Sequence, residues 1–229
     1  MPTRLPSCRC SPRRAEMAES AADGVIKYRS QRVAAVVSTS PELVQLDLAR
    51  TVLFDLGLIG VNAQGVGYGN VSVRTEGSQF VISASATGGL RALTLAHYCH
   101  VTSFSVDDNS VCSRGALEAS SESMTHGAIY AADRRVRCVM HVHSRALFAA
   151  LLQQDALHTA ADVAYGTPSM ARAVLRLVAQ QSELPVIFAM AGHDEGVVAY
   201  GADVVSVQAV LVDSFERSIS HEPDRHHRR

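Results

Sequence analysis

Two histidines separated by one residue, His141 and His143, are the strongest chemical signal in the chain. They end the run 136–143, whose alternating apolar residues are typical of a β-strand. Because side chains alternate between the two faces of a strand, both imidazoles project from the same face. Their Cα atoms would lie about 6.5–7 Å apart, a span across which two rings can bind one metal ion. A third nitrogen ligand would complete a catalytic metal site with an open coordination position.

His193 is the candidate for that third ligand. It lies in a glycine-flanked turn, residues 191–196, between two short apolar segments, and a histidine in such a turn can project into a cleft. The alternative interpretation of His141 and His143 is a hydrogen-bonded pair of histidines that binds no metal. Three other histidines stand alone in amphipathic or loop contexts that favour surface or capping roles: His97, His100 and His158.

Glu122 is the candidate acid/base group. It follows Ser120 and Ser121 at the start of a predicted helix, where the helix dipole and the unsatisfied N–H groups favour negative charge. An acid after a serine cap needs no further function. If this helix start faces a metal, however, the serines and the N–H groups could hold a phosphate while Glu122 moves protons. His126, one turn later on the same helix face, would then support the carboxylate.

Two loops of small residues, 67–70 and 83–89, offer many exposed N–H groups and hydroxyls. Loops of this kind suit an oxyanion or a phosphate group. Neither loop has the spacing of a P-loop or of the dinucleotide-binding fingerprint, so each loop alone is a weak signal.

Composition limits the class of protein. The chain has 229 residues, of which 47% are hydrophobic and 19% are charged, with a formal net charge of −1. This length suits one α/β domain of a soluble protein and is short for two. The balanced charge predicts no nucleic-acid partner. A membrane span is not expected, because the sequence lacks an apolar stretch of about 20 residues. The five scattered cysteines favour reduced thiols inside the cell: Cys8, Cys10, Cys99, Cys112 and Cys138.

The sequence predicts three segments. Residues 1–30 form a disordered or targeting tail, residues 31–219 the single domain, and residues 220–229 a polar C-terminal tail. A cytoplasmic location is the first expectation. The Arg-rich, acid-poor start of the chain is compatible with a mitochondrial transit peptide in residues 1–16, and the alternative is an unstructured extension.

Helices and strands alternate along the predicted domain. Ser40 and Pro41 open a helix that glycines end, strands follow at 70–74 and 79–83, and another at 101–106. A helix capped by Ser120 or Ser121 runs to Ala132, and the His141/His143 strand leads into a helix over 144–153. A helix over 168–181, strands at 186–190 and 197–199, and a helix over 203–218 complete one α/β sandwich.

These motifs, in this order, resemble the class II aldolase/adducin family over residues 33–219. The resemblance is carried by the segment 69–74, the loop 82–89, the Ser120-Ser121-Glu122 motif followed by His126 and Tyr130, the His141/His143 pair, and Gly192-His193 before an apolar strand. It implies an α/β/α sandwich around a largely antiparallel sheet. It also implies a homo-oligomer, commonly a tetramer, that acts on a small molecule.

The resemblance further implies a site. A divalent metal, most often Zn²⁺, would be held by His141, His143 and His193. Glu122 would serve as acid/base, and as a metal ligand when no substrate is bound. Residues matching the phosphate-binding positions are Gly69, Asn70, Ser85, Ser120 and Ser121, with Thr87 as an alternative to Ser85.

The function that follows is that of a metal-dependent carbon–carbon lyase. It would catalyse reversible aldol cleavage, or retro-aldol epimerisation, of a ketose phosphate or similar hydroxy-keto substrate through a metal-stabilised enediolate. The small-residue loop lacks the Pro-Ser-Gly sequence common among the sugar-phosphate members, which leaves an unphosphorylated substrate open. Tyr130 and Tyr165 are interpreted as packing residues. The alternatives are a dehydratase or decarboxylase using the same site, or a non-catalytic, adducin-like interaction module.

Overall fold

A mixed sheet and five helices make up the fold, and the computed structural model describes residues 25–220 of the chain. In chain order the strands are β1 (Arg29–Val33), β2 (Gly60–Val61), β3 (Gly67–Tyr68), β4 (Asn70–Arg74), β5 (Phe80–Ser83), β6 (Tyr98–Ser105), β7 (Ser110–Gly115), β8 (Cys138–His143), β9 (Val186–Ala189) and β10 (Gly196–Gly201). The helices are α1 (Pro41–Asp55), α2 (Ser123–Ala132), α3 (Arg145–Gln153), α4 (Pro168–Ala179) and α5 (Val204–Ser220).

The central sheet has eight strands in the order β1-β7-β6-β5-β4-β8-β10-β9. Every neighbouring pair is antiparallel except β1 and β7, which run parallel. The short strands β2 and β3 form a separate hairpin. The prediction of a largely antiparallel sheet is therefore confirmed. β8 lies inside the sheet between β4 and β10, so its two histidines are held by strands on both sides.

Helices cover both faces of this sheet. Helices α2 and α4 pack together over one face, and α1, α3 and α5 pack over the other. Each layer has its own core, with Met124 and Val174 buried on the first side and Leu46 and Leu211 on the second. The predicted α/β/α sandwich is confirmed.

Most helices start close to the predicted residues, and Ser40 is the cap predicted for α1. The hydroxyls of Ser40 and Ser144 accept hydrogen bonds from the N–H groups of the third helical residues. The exception is α2, because the cap predicted at Ser120 or Ser121 is wrong. The helix begins at Ser123 with Glu122 in the cap position, since the serines form a preceding turn in which Ser120 O accepts from Ser123 N.

The predicted tails lie mostly outside the described residues. Residues 25–30, however, contact the domain: Tyr28 is buried in the core, and β1 pairs with β7. Neither of these two strands was recognised in the sequence. None of the helices between residues 25 and 220 has the length and apolar character to cross a membrane. The three described cysteines are free thiols.

Candidate metal centre

The three predicted ligand histidines meet at one end of the sheet. His141 and His143 leave the end of β8 on one face, and Gly196, which opens β10, pairs with His143. The turn before β10 therefore brings His193 to the same place. Glycines make this turn possible, because a Cβ at Gly196 would collide with the His193 ring and one at Gly192 would collide with the backbone of Val163.

The spacing of the imidazoles fits a metal ion. One nitrogen from each ring lies within 4.8 Å of the others, and the Nε2 atoms of His143 and His193 are 2.9 Å apart. Nitrogens that bind zinc tetrahedrally at 2.0–2.1 Å lie about 3.3 Å from one another. In addition, the buried Nε2 of His141 has no hydrogen-bond partner within the described part of the chain. A buried polar nitrogen costs free energy unless it gains a partner, and a cation would supply one.

Asn70 orients the His141 ring from the neighbouring strand β4. Its Nδ2 atom lies 3.2 Å from His141 Nδ1, while its buried Oδ1 atom has no hydrogen-bond partner among residues 25–220. A metal at Nε2 requires the ring proton on Nδ1, which must then donate to an acceptor. Turning the Asn70 amide by 180° supplies that acceptor and satisfies Oδ1 at the same time. Asn70 thus has the chemistry of a ligand-orienting residue.

Burial keeps His141 and His193 neutral, which is the protonation state that binds metal. It lowers the pKa of His141 well below the usual value, and the neighbouring His143 and His193 lower it further. Burial also lowers the pKa of His193 to about 3, with smaller contributions from His143 and Lys27. Protons therefore compete weakly with a cation for these two nitrogens near neutral pH.

Glu122 lies in the same cleft as the imidazoles. Its side chain is 2% exposed, and one carboxylate oxygen accepts a 2.7 Å hydrogen bond from Thr125 Oγ1. Glu122 occupies the cap position of α2 and lines the cleft, so the positive end of the helix dipole lies at the cleft. A carboxylate held beside three imidazoles can accept or return a proton on a substrate bound there.

The cleft brings together the other predicted site residues. Its remaining walls are the loop and strand at 67–70, the loop at 84–88 and the turn at Ser120 and Ser121. All five predicted substrate-binding residues line it: Gly69, Asn70, Ser85, Ser120 and Ser121. Ser85 and Thr87 were the two candidates for the phosphate-binding position in the second loop. The Thr87 hydroxyl donates to Ala84 O, whereas Ser85 is half-buried at the cleft wall.

His126 lies behind this cleft, completely buried in α2. Its Nδ1 atom is 2.7 Å from Ser72 Oγ, which is in turn 2.8 Å from the Tyr130 hydroxyl. The Glu122 carboxylate takes its hydrogen bond from Thr125. Direct support of Glu122 by the His126 ring therefore stays a prediction, and the ring's observed contact links α2 to β4.

Acidification is expected to destabilise the protein through His126. Burial lowers its pKa to about 3 in the folded chain, against about 6.5 when unfolded. The unfolded chain thus takes up a proton below pH 6.5 that the folded chain refuses, so this contribution to stability is lost as the pH falls from 6.5 toward 3. At pH 5 the loss is about 2 kcal/mol. Urea unfolding of the wild type and of His126→Gln at pH 7.5 and pH 5 measures this loss as the difference between their pH dependences. An equal pH dependence in the two proteins would refute the assignment.

Three residues at the site were not recognised as functional in the sequence. Tyr68 lines the cleft with its ring centroid 5.3 Å from that of His143. Tyr165, interpreted as packing, does contact the core but also stacks on His193 at a centroid distance of 4.3 Å. Lys27 lies over the Tyr165 ring. The only sequence signal for Lys27 is its position between Ile26 and Tyr28, an apolar pair in a region otherwise interpreted as a tail.

Solved structures share this fold. L-fuculose-1-phosphate aldolase from Thermus thermophilus is 20% identical with a TM-score of 0.55, over 77% of this chain and 90% of that one. YgbL from Escherichia coli, a proposed aldolase/epimerase/decarboxylase, is 16% identical with a TM-score of 0.59, over 82% and 93%. A sugar-phosphate aldolase from Thermotoga maritima is 17% identical with a TM-score of 0.56, over 78% and 93%. At these identities the likeness establishes the fold.

The sequence comparison establishes the family. No curated protein matches the chain significantly. The family model described as Class II Aldolase and Adducin N-terminal domain, however, matches residues 61–213, about two-thirds of the chain. That match includes the two small-residue loops, Glu122 and all three histidines of the cleft. The chain belongs to the family of class II aldolase and adducin N-terminal domains.

Proposed function

We propose that this protein is a metal-dependent carbon–carbon lyase that cleaves a ketose phosphate, or a similar hydroxy-keto compound, by a reversible aldol reaction. The observation that carries the proposal is the convergence of three buried or half-buried imidazoles beside the Glu122 carboxylate in one cleft. Membership of the class II aldolase family supports the reaction class. The names of neighbouring structures, among them two sugar-phosphate aldolases, support the substrate class.

The cation, which we propose to be zinc, would be held by His141, His143 and His193. Three imidazoles with a fourth position open to substrate are a common ligand set of catalytic zinc. When bound, the ion would supply a Lewis acid that polarises a substrate carbonyl. The chain keeps two of these imidazoles neutral, because burial lowers the pKa of His141 and of His193.

Glu122 would handle the proton at carbon. When the C3–C4 bond of the substrate breaks, the C4 hydroxyl loses its proton to solvent and becomes the aldehyde carbonyl. The electron pair of the broken bond remains on C3, and Glu122 would return a proton to that carbon. In the synthetic direction the same carboxylate would remove it. The hydrogen bond from Thr125 to one carboxylate oxygen limits rotation of the carboxylate, which favours a defined position for the group beside the cleft.

The loops around the cleft would bind the substrate's anionic group. Gly69, Asn70 and Ser85 lie on one side, and Ser120 and Ser121 precede the positive end of α2 on the other. Backbone N–H groups and hydroxyls, together with a helix N-terminus, favour phosphate over a neutral group. A homotetramer, which the family resemblance implies, forms part of this proposal.

An activity screen of the zinc-loaded protein tests the proposal. The substrates are ketose 1-phosphates, ribulose 5-phosphate and unphosphorylated hydroxy-keto acids. We expect metal-dependent release of an aldehyde and a ketone from a phosphorylated substrate, and loss of this activity with a chelator. Binding of zinc without cleavage or epimerisation of any member of the set would contradict a lyase. Absence of zinc from the purified protein would favour an interaction module.

A further inference from the structure

The segment before β1 reaches the metal centre from outside the part of the chain that matches the family. Tyr28 anchors it, because its hydroxyl donates to Ala119 O at 2.9 Å and to Ser120 O at 3.0 Å, next to the cleft serines. Asn109 anchors it a second time by donating to Lys27 O at 2.8 Å. The backbone of Lys27 is thus fixed at the edge of the site.

The Lys27 side chain is directed onto Tyr165. Its ammonium donates a 3.1 Å hydrogen bond to Tyr165 O and lies 3.5 Å from the centre of the Tyr165 ring. Both side chains are half-buried. A cation this close to an aromatic face is attracted by the ring's quadrupole, more strongly where water is partly excluded. Lys27 therefore holds Tyr165 through both its backbone and its ring.

Tyr165 in turn supports His193. The two ring centroids are 4.3 Å apart with their planes tilted by 47°. His141 and His143 lie in a central strand, but His193 lies in a turn that rests on the backbone of Val163 through Gly192. Its ring consequently depends on side-chain contacts for its orientation. Gly166, the residue after Tyr165, has a φ of +65°. It lies near Lys27 and Glu122, because a Cβ added at Gly166 would be 3.5 Å from Lys27 Cδ and 3.9 Å from Glu122 Oε1.

We infer that Lys27 and Tyr165 form a brace that orients His193 as the third metal ligand, which makes both of them positioning residues. The inference rests on the metal centre of the proposed function, but it does not depend on which reaction that centre catalyses. It gives the pre-β1 segment a role in metal affinity. Loss of the brace lets the His193 ring rotate away from the other two imidazoles.

Cobalt binding to the full-length protein tests the brace. Co²⁺ is titrated into metal-free protein, and its dissociation constant and visible absorption spectrum are recorded. We expect Tyr165→Leu to weaken binding about 10–100-fold and to alter the spectrum, as loss of a ligand-orienting partner does. Lys27→Met should weaken binding about 3–10-fold, because it removes the cation from the ring. Tyr165→Phe and Lys27→Arg keep the ring and the charge, and should bind like the wild type.

Arg29→Met is the matched control, because Arg29 lies two residues away and bonds to Asp108 O at the surface. An equal loss of affinity in Arg29→Met and Lys27→Met would overturn the brace, since it would reflect net charge alone. Wild-type affinity and spectrum in Tyr165→Leu would also overturn it. If circular dichroism shows that Tyr165→Leu is unfolded, Lys27→Met replaces it in the test. Wild-type affinity and spectrum in Lys27→Met would then overturn the brace.

The same titration separates this inference from the proposed function. A wild-type protein that binds no cobalt refutes the metal centre, and the brace with it. A protein that binds cobalt, shows the variant pattern above and cleaves no substrate refutes the lyase and supports the brace.

Discussion

Replacing Glu122 with glutamine is expected to lower kcat by about 10²–10⁴-fold, the usual contribution of a positioned acid/base group. Glutamine has nearly the same shape and keeps an oxygen that can accept the hydrogen bond from Thr125, so the fold should persist. The amide cannot carry the proton. Because three imidazoles remain to hold the ion, the zinc content should not change. Steady-state kinetics and elemental analysis of the same preparation measure both quantities.

Glu118→Gln is the matched control for this substitution. Glu118 precedes the same turn, but its carboxylate pairs with Arg32 at the surface rather than lining the cleft. Its loss should leave kcat within about twofold, as surface ion pairs contribute little. Near wild-type turnover in Glu122→Gln at unchanged zinc content would remove Glu122 from the mechanism.

Replacing His143 with alanine is expected to weaken zinc binding by at least about 100-fold and to abolish activity. Loss of a residue that merely orients a ligand costs 10–100-fold in affinity, so loss of the ligand itself should cost more. His143 is half-buried at the end of β8, so the substitution should leave the sheet intact. Calorimetric titration of zinc into the metal-free variant measures the affinity.

His158→Ala controls for the loss of an imidazole in general. The His158 ring is exposed, and its Nδ1 atom lies 2.7 Å from the backbone oxygen of Ala156. Zinc should bind to this variant as it does to the wild type. If His143→Ala and His158→Ala bound zinc equally tightly, the ion would lie elsewhere on the protein.

Local sequence rules were sufficient to predict the orientation of the two histidines in β8 and the starts of most helices. The alternation of β8 fixes His141 and His143 on one face whatever the rest of the chain does. The caps at Ser40 and Ser144 follow from hydroxyls that can reach the free N–H groups of their own helices. The glycine-flanked turn made His193 a candidate ligand, but its assignment to the pair came from the family resemblance, because no local signal shows that β10 pairs with β8.

Residues that act through distant contacts could not be recognised in the same way. The edge strand β1 depends on parallel pairing with β7, about 80 positions later, and both strands carry many polar residues. Lys27 precedes β1, and its partner Tyr165 lies 138 positions later in the chain. The start of α2 was misplaced because both serines satisfy local capping rules, whereas the observed turn uses Ser120 O as an acceptor.

X-ray diffraction from crystals of the zinc-loaded protein, recorded at the zinc absorption edge, tests the metal centre most directly. The account predicts one anomalous peak per chain, about 2.0–2.1 Å from a nitrogen of each of His141, His143 and His193. Full zinc loading with no peak between these three rings, or with a peak at other side chains, would contradict it.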